Sequence, residues 1–298
     1  MRAEDTAEVP VGREDFPGAG RVDGSPADAG APGTGDGAES GRSEARAYTP
    51  ASLTLTAGRD KSGRPEAGDV TFRSGEITAL LGPTGAGKSR FLSDIESLAC
   101  GDTPTGRMLL LDGRAPDADE RFELQGRLVA QLTQNMNFVL DLSVRDFVRT
   151  HAMSREVADP DAAAERVLAA ANALAGEPFG PKAQLTQLSG GQSRALMIAD
   201  TALLSWSPVL LIDEIENAGV DKRRALDLLL ASDKIIVIAT HDPVLALSAD
   251  RRLVFEHGAV KLTQTRSGQE EAILARLEDM ERKISRVRGM LRAGENLG

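Results

Sequence analysis

Eight residues, Gly82 to Ser89, constrain this chain more than any other feature. They read Gly-Pro-Thr-Gly-Ala-Gly-Lys-Ser and satisfy the pattern G-x-x-x-x-G-K-[ST]. They follow an apolar run, Ile77 to Leu81, and precede a stretch with helical character. Gly82, Gly85 and Gly87 let the backbone fold tightly around an anion with its N–H groups turned inward. Pro83, Thr84 and Ala86 fill the rest of the loop. The helix that follows offers its positive end to phosphates. Lys88 supplies a point charge for β- and γ-phosphates, and the Ser89 hydroxyl is a hard oxygen ligand suited to Mg²⁺. A strand–loop–helix of this kind predicts nucleotide binding.

The rest of the chain must supply a sheet for that loop. Ser52 to Thr56, Val70 to Phe72 and Met108 to Leu111 are short strand-like runs bounded by Gly, Asp and Pro. Arg127 to Gln134, Val209 to Ile212 and Ile235 to Ala239 are longer apolar runs, as parallel strands covered on both faces require. Helical stretches such as Ala162 to Leu174 and Arg194 to Leu204 alternate with them. The expectation is an α/β fold with a parallel central sheet.

Val209-Leu210-Leu211-Ile212 ends in Asp213-Glu214. A carboxylate at the carboxyl end of a buried strand stands where open α/β sheets bind ligands. Asp213 is the candidate Mg²⁺ contact. Glu214 is the candidate base that orients or deprotonates a water. Ile235 to Ala239 is followed by Thr240-His241-Asp242, and His241 is one of only three histidines.

Between the phosphate loop and Asp213 lies Leu188-Ser189-Gly190-Gly191-Gln192. With the phosphate loop, Asp213-Glu214 and His241, this pentapeptide resembles the signature of the ATP-binding cassette (ABC) ATPases. The resemblance covers about residues 51 to 265. It implies a P-loop NTPase core with a parallel central sheet, a small antiparallel β subdomain and a helical subdomain at about 135–187. It implies ATP and Mg²⁺ as cofactors, with Ser89, Gln134 and Asp213 around the metal. Gln134 is chosen over Gln131 because it precedes Ser143-Val144 at the family's spacing. His241 would contact the γ-phosphate and act with Glu214 and Gln134 in catalysis. Leu188 to Gln192 would act in trans, on ATP held by a second ABC ATPase domain in a homodimer or heterodimer. Asp221 is the D-loop candidate.

Two departures from that pattern stand out. The segment Ala57-Gly58-Arg59-Asp60-Lys61 holds no aromatic ring to stack on adenine, and Arg59 is the candidate substitute. Ile215 to Asp221 has no proline and one residue more than the family norm.

Composition bounds the partners. The net charge is −10 and aromatic residues are 3% of the chain, which argues against a nucleic-acid partner. Residues 1–47 carry −5 of that charge and almost no large apolar side chains, so a disordered acidic tail is expected there. The single cysteine, Cys100, fits a reducing compartment. No apolar run reaches the length of a membrane span, and no signal-peptide core is present. The expected place is the cytoplasm, at the inner face of the membrane where a membrane partner holds the chain. Residues 269–292 carry Ile273, Leu277, Met280, Ile284, Val287 and Leu291 in a heptad seam. That helix either packs on its own domain or pairs with another helix. The favoured reading is the ATPase subunit of an ABC system that energises a separate permease. The alternative is a soluble ABC ATPase acting on a protein, a cofactor assembly or nucleic acid.

Overall fold

The computed structural model describes residues 48–133, 138–213, 220–231 and 233–295. Ser52–Leu55 (β1) pairs antiparallel with Val70–Arg73 (β2). Ile77–Leu81 (β3) leads through the phosphate loop into Lys88–Glu96 (α1). Leu109–Leu111 (β4) pairs with the other edge of β1, which closes a three-stranded antiparallel sheet. Ala118–Leu124 (α2) and Val129–Leu132 (β5) come next. The β5 strand is shorter than the apolar run suggests. The N–H groups of Arg127 and Leu128 turn back to the Leu124 carbonyl, so both residues belong to the turn.

Val144–Ser154 (α3) and Pro160–Leu174 (α4) fall within the segment expected to be helical. Gly190–Leu204 (α5) begins four residues earlier than its apolar periodicity suggests. Ser189 and Gln192 form a reciprocal capping box, which starts the helix directly after the serine. Val209–Asp213 (β6), Lys222–Leu230 (α6), Ile235–Ala239 (β7) and Pro243–Ser248 (α7) follow. Arg251–Glu256 (β8), Ala259–Thr265 (β9) and Gly268–Arg292 (α8) complete the described chain.

The main sheet has six strands in the order β5-β6-β7-β3-β8-β9. All pairings are parallel except β8 with β9. The β9 edge lacks an apolar signal because most of its side chains face solvent.

The unbroken apolar strands have a simple cause. In β6, Val209 and Leu211 enter a cluster with the small sheet and Phe91 and Leu92 of α1. Leu210 and Ile212 enter a second cluster, on the other face, with Ile198 of α5 and Leu226 of α6. Both faces are covered, so alternation gives no polar side. A third cluster joins Val148 of α3, Val167 of α4 and Leu196 of α5.

Candidate nucleotide-binding and catalytic site

Strand register assembles the site. Leu132, Ile212, Ile238 and Ala79 lie level across β5, β6, β7 and β3. One residue further on, Asp213 is level with Ala239, and Ala239 with Leu80. The chain segments beyond those positions are the phosphate loop and Thr240-His241. Three stretches far apart in sequence therefore emerge at one edge, the carboxyl end of the parallel strands.

The phosphate loop is held in an unusual backbone shape. Gly82 and Gly87 have φ of 143° and 112°. A Cβ on Gly82 would stand 2.7 Å from the Phe255 carbonyl oxygen, and one on Gly87 would stand 2.6 Å from the Cα of Gly258. Both positions therefore demand glycine, for conformation and for space. Gly87 occupies the N-cap of α1 and brings no side chain to its amides. The first turn of α1 thus presents N–H groups and the positive end of its dipole to whatever lies in the loop.

Lys88 is buried, and its ammonium donates to the Gly82 carbonyl at 2.5 Å. It also lies 3.3 Å from Nε2 of His241. A lysine ammonium only donates, so the ring nitrogen is the acceptor in this contact. Lys88 and His241, both expected at the β- and γ-phosphates, are in direct contact. Ser89 is exposed beside Lys88 at the start of α1, and Asp213 is half-buried at the end of β6.

The neighbouring groups fix the two later segments. Asp242 caps α7 through the N–H groups of Val244 and Leu245, and it pairs with Lys222. Lys222 also donates to Glu281 at 2.9 Å. Burial would lower the Lys222 pKa, but these two carboxylates outweigh it and hold the pKa above its ordinary value. Asp221 caps α6 by accepting from the Arg224 N–H at 3.1 Å. Ser189 and Gly190 are exposed at the start of α5. Gly190 has space around it for a Cβ and no positive φ, so this fold does not itself need a glycine there. Gln134 and Glu214 lie outside the described residues.

Two contributors were not visible in the sequence. Lys61 donates to the Gly85 carbonyl at 2.6 Å, so the segment 57–61 does reach the phosphate loop. Arg59 instead donates to the Gly63 carbonyl of its own turn at 3.2 Å. Arg107 is fully buried between Glu66 and Asp94, at 2.7 and 2.8 Å, and lies over the Phe91 ring. It also donates to the Gly258 carbonyl, whose own N–H reaches the Ala86 carbonyl of the phosphate loop at 2.7 Å.

The ABC transporter family model matches residues 66–217, about half of the chain. The chain belongs to the ABC transporter family. Over 246 residues it is 45% identical to an uncharacterized ABC transporter ATP-binding protein of Methanocaldococcus jannaschii, spanning 82% of this chain and 94% of that protein. It is 32% identical over 201 residues to the macrolide export ATP-binding/permease protein MacB of Brucella abortus. That match spans 64% of this chain and only 30% of MacB. Solved structures agree on the fold. CbiO1 of Clostridium perfringens, part of the ABC transporter complex cbiONQ, superposes with a TM-score of 0.55 at 21% identity. The match covers 82% of this chain and all of CbiO1. A dimeric ATP-binding cassette bound to ADP and Pi superposes equally well at 23% identity, over 72% of this chain and 99% of that one. The chain is accordingly an ABC ATPase that binds ATP. Among the described residues no helix is long and apolar enough to cross a membrane.

Proposed function

We propose that this chain is the ATP-hydrolysing subunit of an ABC transporter whose permease is a separate chain. One observation carries the reading. Lys88 and His241 touch at the carboxyl edge of the sheet, level with the strand that ends in Asp213. That edge has the chemistry of an ATP γ-phosphate site. The name of the Methanocaldococcus relative and the lack of a membrane-crossing helix among the described residues support the transporter assignment.

In this reading the Lys88 ammonium exchanges the Gly82 carbonyl for β- and γ-phosphate oxygens. The loop amides and the α1 dipole hold the same phosphates. His241 is released from Lys88 and contacts the γ-phosphate. Glu214 takes the proton of the attacking water, which approaches in line with the leaving oxygen. The residues fit Mg²⁺. Ser89, Asp213 and Gln134 offer hard oxygen donors, and no cluster of three or more His, Cys, Asp or Glu exists among the described residues. Few protein donors plus phosphate oxygens is the usual Mg²⁺ arrangement. When bound, the ion neutralises charge on the β- and γ-oxygens.

The chain has one phosphate loop and one signature. Ser189, Gly190 and Gly191 therefore act on ATP held by a second ATPase domain, and the Gly190 position is free of intramolecular crowding for that purpose. In the same reading Asp221 is the D-loop residue.

A mixing experiment tests the trans arrangement. Lys88→Ala and Gly190→Asp should each be inactive alone. Mixed, a dimer of one of each has one site built from two intact halves, so turnover should reappear. Continued silence of the mixture, with both variants folded, would place the signature in the same chain's site. Purification from membranes tests the permease. A stable multi-span partner is expected, and a solely soluble complex would favour the alternative ATPase role.

A further inference from the structure

The C-terminal helix α8 has two unlike faces. One is anchored on the body of the domain. Glu270 pairs with Arg252 at 2.7 Å, Leu274 is buried, Glu278 pairs with Arg223 and Glu281 with Lys222. The other face is the heptad seam; its Leu277 is half-buried, and from Met280 onward it is uncovered. Met280, Ile284, Val287 and Leu291 are 57%, 48%, 41% and 59% exposed. The helix thus uses its acidic positions for intramolecular docking and leaves its apolar stripe facing solvent.

The charge beside the stripe changes along the helix. After Glu281 the sequence holds no acidic residue until Glu295, while Arg282, Lys283, Arg286 and Arg288 follow in close succession; Arg282 and Lys283 reach back to Asp279, so Arg286 and Arg288 carry the excess positive charge. Residues 282–289 are all exposed. This basic, apolar-striped half-helix sits on a chain of net charge −10. At physiological salt, charges more than about 8 Å away are largely screened, so the local cationic field governs what binds here.

We propose that the distal half of α8 docks on an anionic lipid surface. The apolar stripe would enter the acyl boundary while the flanking Lys and Arg side chains remain among the headgroups. The charges disfavour a second copy of the helix. In a parallel pair Lys283 would face Arg288 of the other copy. In an antiparallel pair Arg276 and Lys283 would face their own kind. Of the acidic residues beside the stripe, Glu281 is engaged by Lys222, and Asp279 by Arg282 and Lys283 of the same helix. Nucleic acid would satisfy the cations but leave the stripe in water. The acidic residues 1–47 have almost no large apolar side chains with which to cover it. An anionic bilayer answers both halves of the pattern. The inference concerns only α8 and does not depend on the trans arrangement of the ATP site.

Flotation of the full-length protein tests it, with vesicles of phosphatidylcholine alone and with one third phosphatidylglycerol. Recovery should be strongly enriched on the anionic vesicles and lost at molar salt. Arg286→Gln with Arg288→Gln should weaken binding about 25-fold, near fivefold per cation removed. Ile284→Ser with Val287→Ser should abolish it. All four positions are exposed and outside the ATP site, so both variants should retain the helical circular dichroism and the ATPase activity of the parent. Equal recovery on neutral vesicles would overturn the proposal, as would unaltered flotation of either variant. A vesicle-free dimer that dissociates in the Ile284→Ser/Val287→Ser variant would instead assign the stripe to a second copy.

Discussion

Replacing Glu214 with glutamine is expected to cut ATP turnover by about two to four orders of magnitude while leaving ATP binding intact, the range associated with loss of a positioned general base. Glutamine keeps the size of the side chain and removes its ability to take a proton. The groups assigned to the phosphates are untouched: Lys88, the loop amides and His241 come from β3, α1 and the segment after β7. A nucleotide that binds but is not cleaved continues to hold two domains together. Size-exclusion chromatography of the variant should therefore show a dimer with ATP that is absent with ADP. Lys88→Ala provides the contrast, since it should lose nucleotide affinity itself. Unchanged turnover in Glu214→Gln would remove this residue from the reaction. Lost turnover without an ATP-dependent dimer would detach hydrolysis from domain association.

Sequence made the phosphate loop legible because its function is local. Gly82, Gly87, Lys88 and Ser89, the residues proposed to hold phosphate, fall within eight consecutive residues, so spacing alone carries the pattern. Asp213 and His241 could be picked out for a related reason, since one ends and the other lies two residues past a buried strand whose apolar run can be read. Arg107 left no such trace. Its partners lie 41 residues before it, 13 before it and 151 after it, at Glu66, Asp94 and Gly258. Only the closed fold brings them together. Lys61 is similar, because its contact with Gly85 depends on how the 57–66 loop returns to the sheet. The heptad seam of α8 was clear from its periodicity. Its other face was not, because pairs such as Glu278 with Arg223 are long-range and give no periodic apolar signal.

Arg107→Met is expected to destabilise the fold by about 3–5 kcal/mol, the cost of breaking a buried ion pair by removing one partner. The guanidinium is 1% exposed, and Glu66 and Asp94 are 5% and 1% exposed. Methionine fills much of the volume but leaves two carboxylates facing each other without a cation. At about 2–4 °C per kcal/mol for a domain of this size, the thermal midpoint should fall by about 10 °C. Adding Glu66→Gln should return part of the loss, because removing both members of a buried pair costs far less than removing one. A double variant no better than Arg107→Met would show that packing, not charge, dominates the site.

The pH dependence separates those two causes further. Burial alone would raise the Glu66 pKa. Arg107 and the N–H groups of Gly58 and Val260 outweigh burial and hold the pKa below its ordinary value. A carboxylate with a lowered folded-state pKa stabilises the protein fully above its ordinary pKa, and the contribution disappears as pH falls through the folded value. Wild-type stability should therefore decline from about pH 4.5 downward. Arg107→Met should flatten or reverse that decline, because protonating Glu66 then relieves an uncompensated charge. The same variant should weaken ATP binding even where it remains folded. Gly258 joins Arg107 to the Ala86 carbonyl, so losing the guanidinium loosens one wall of the phosphate loop. Unaltered nucleotide affinity in a folded Arg107→Met protein would confine this cluster to stability alone.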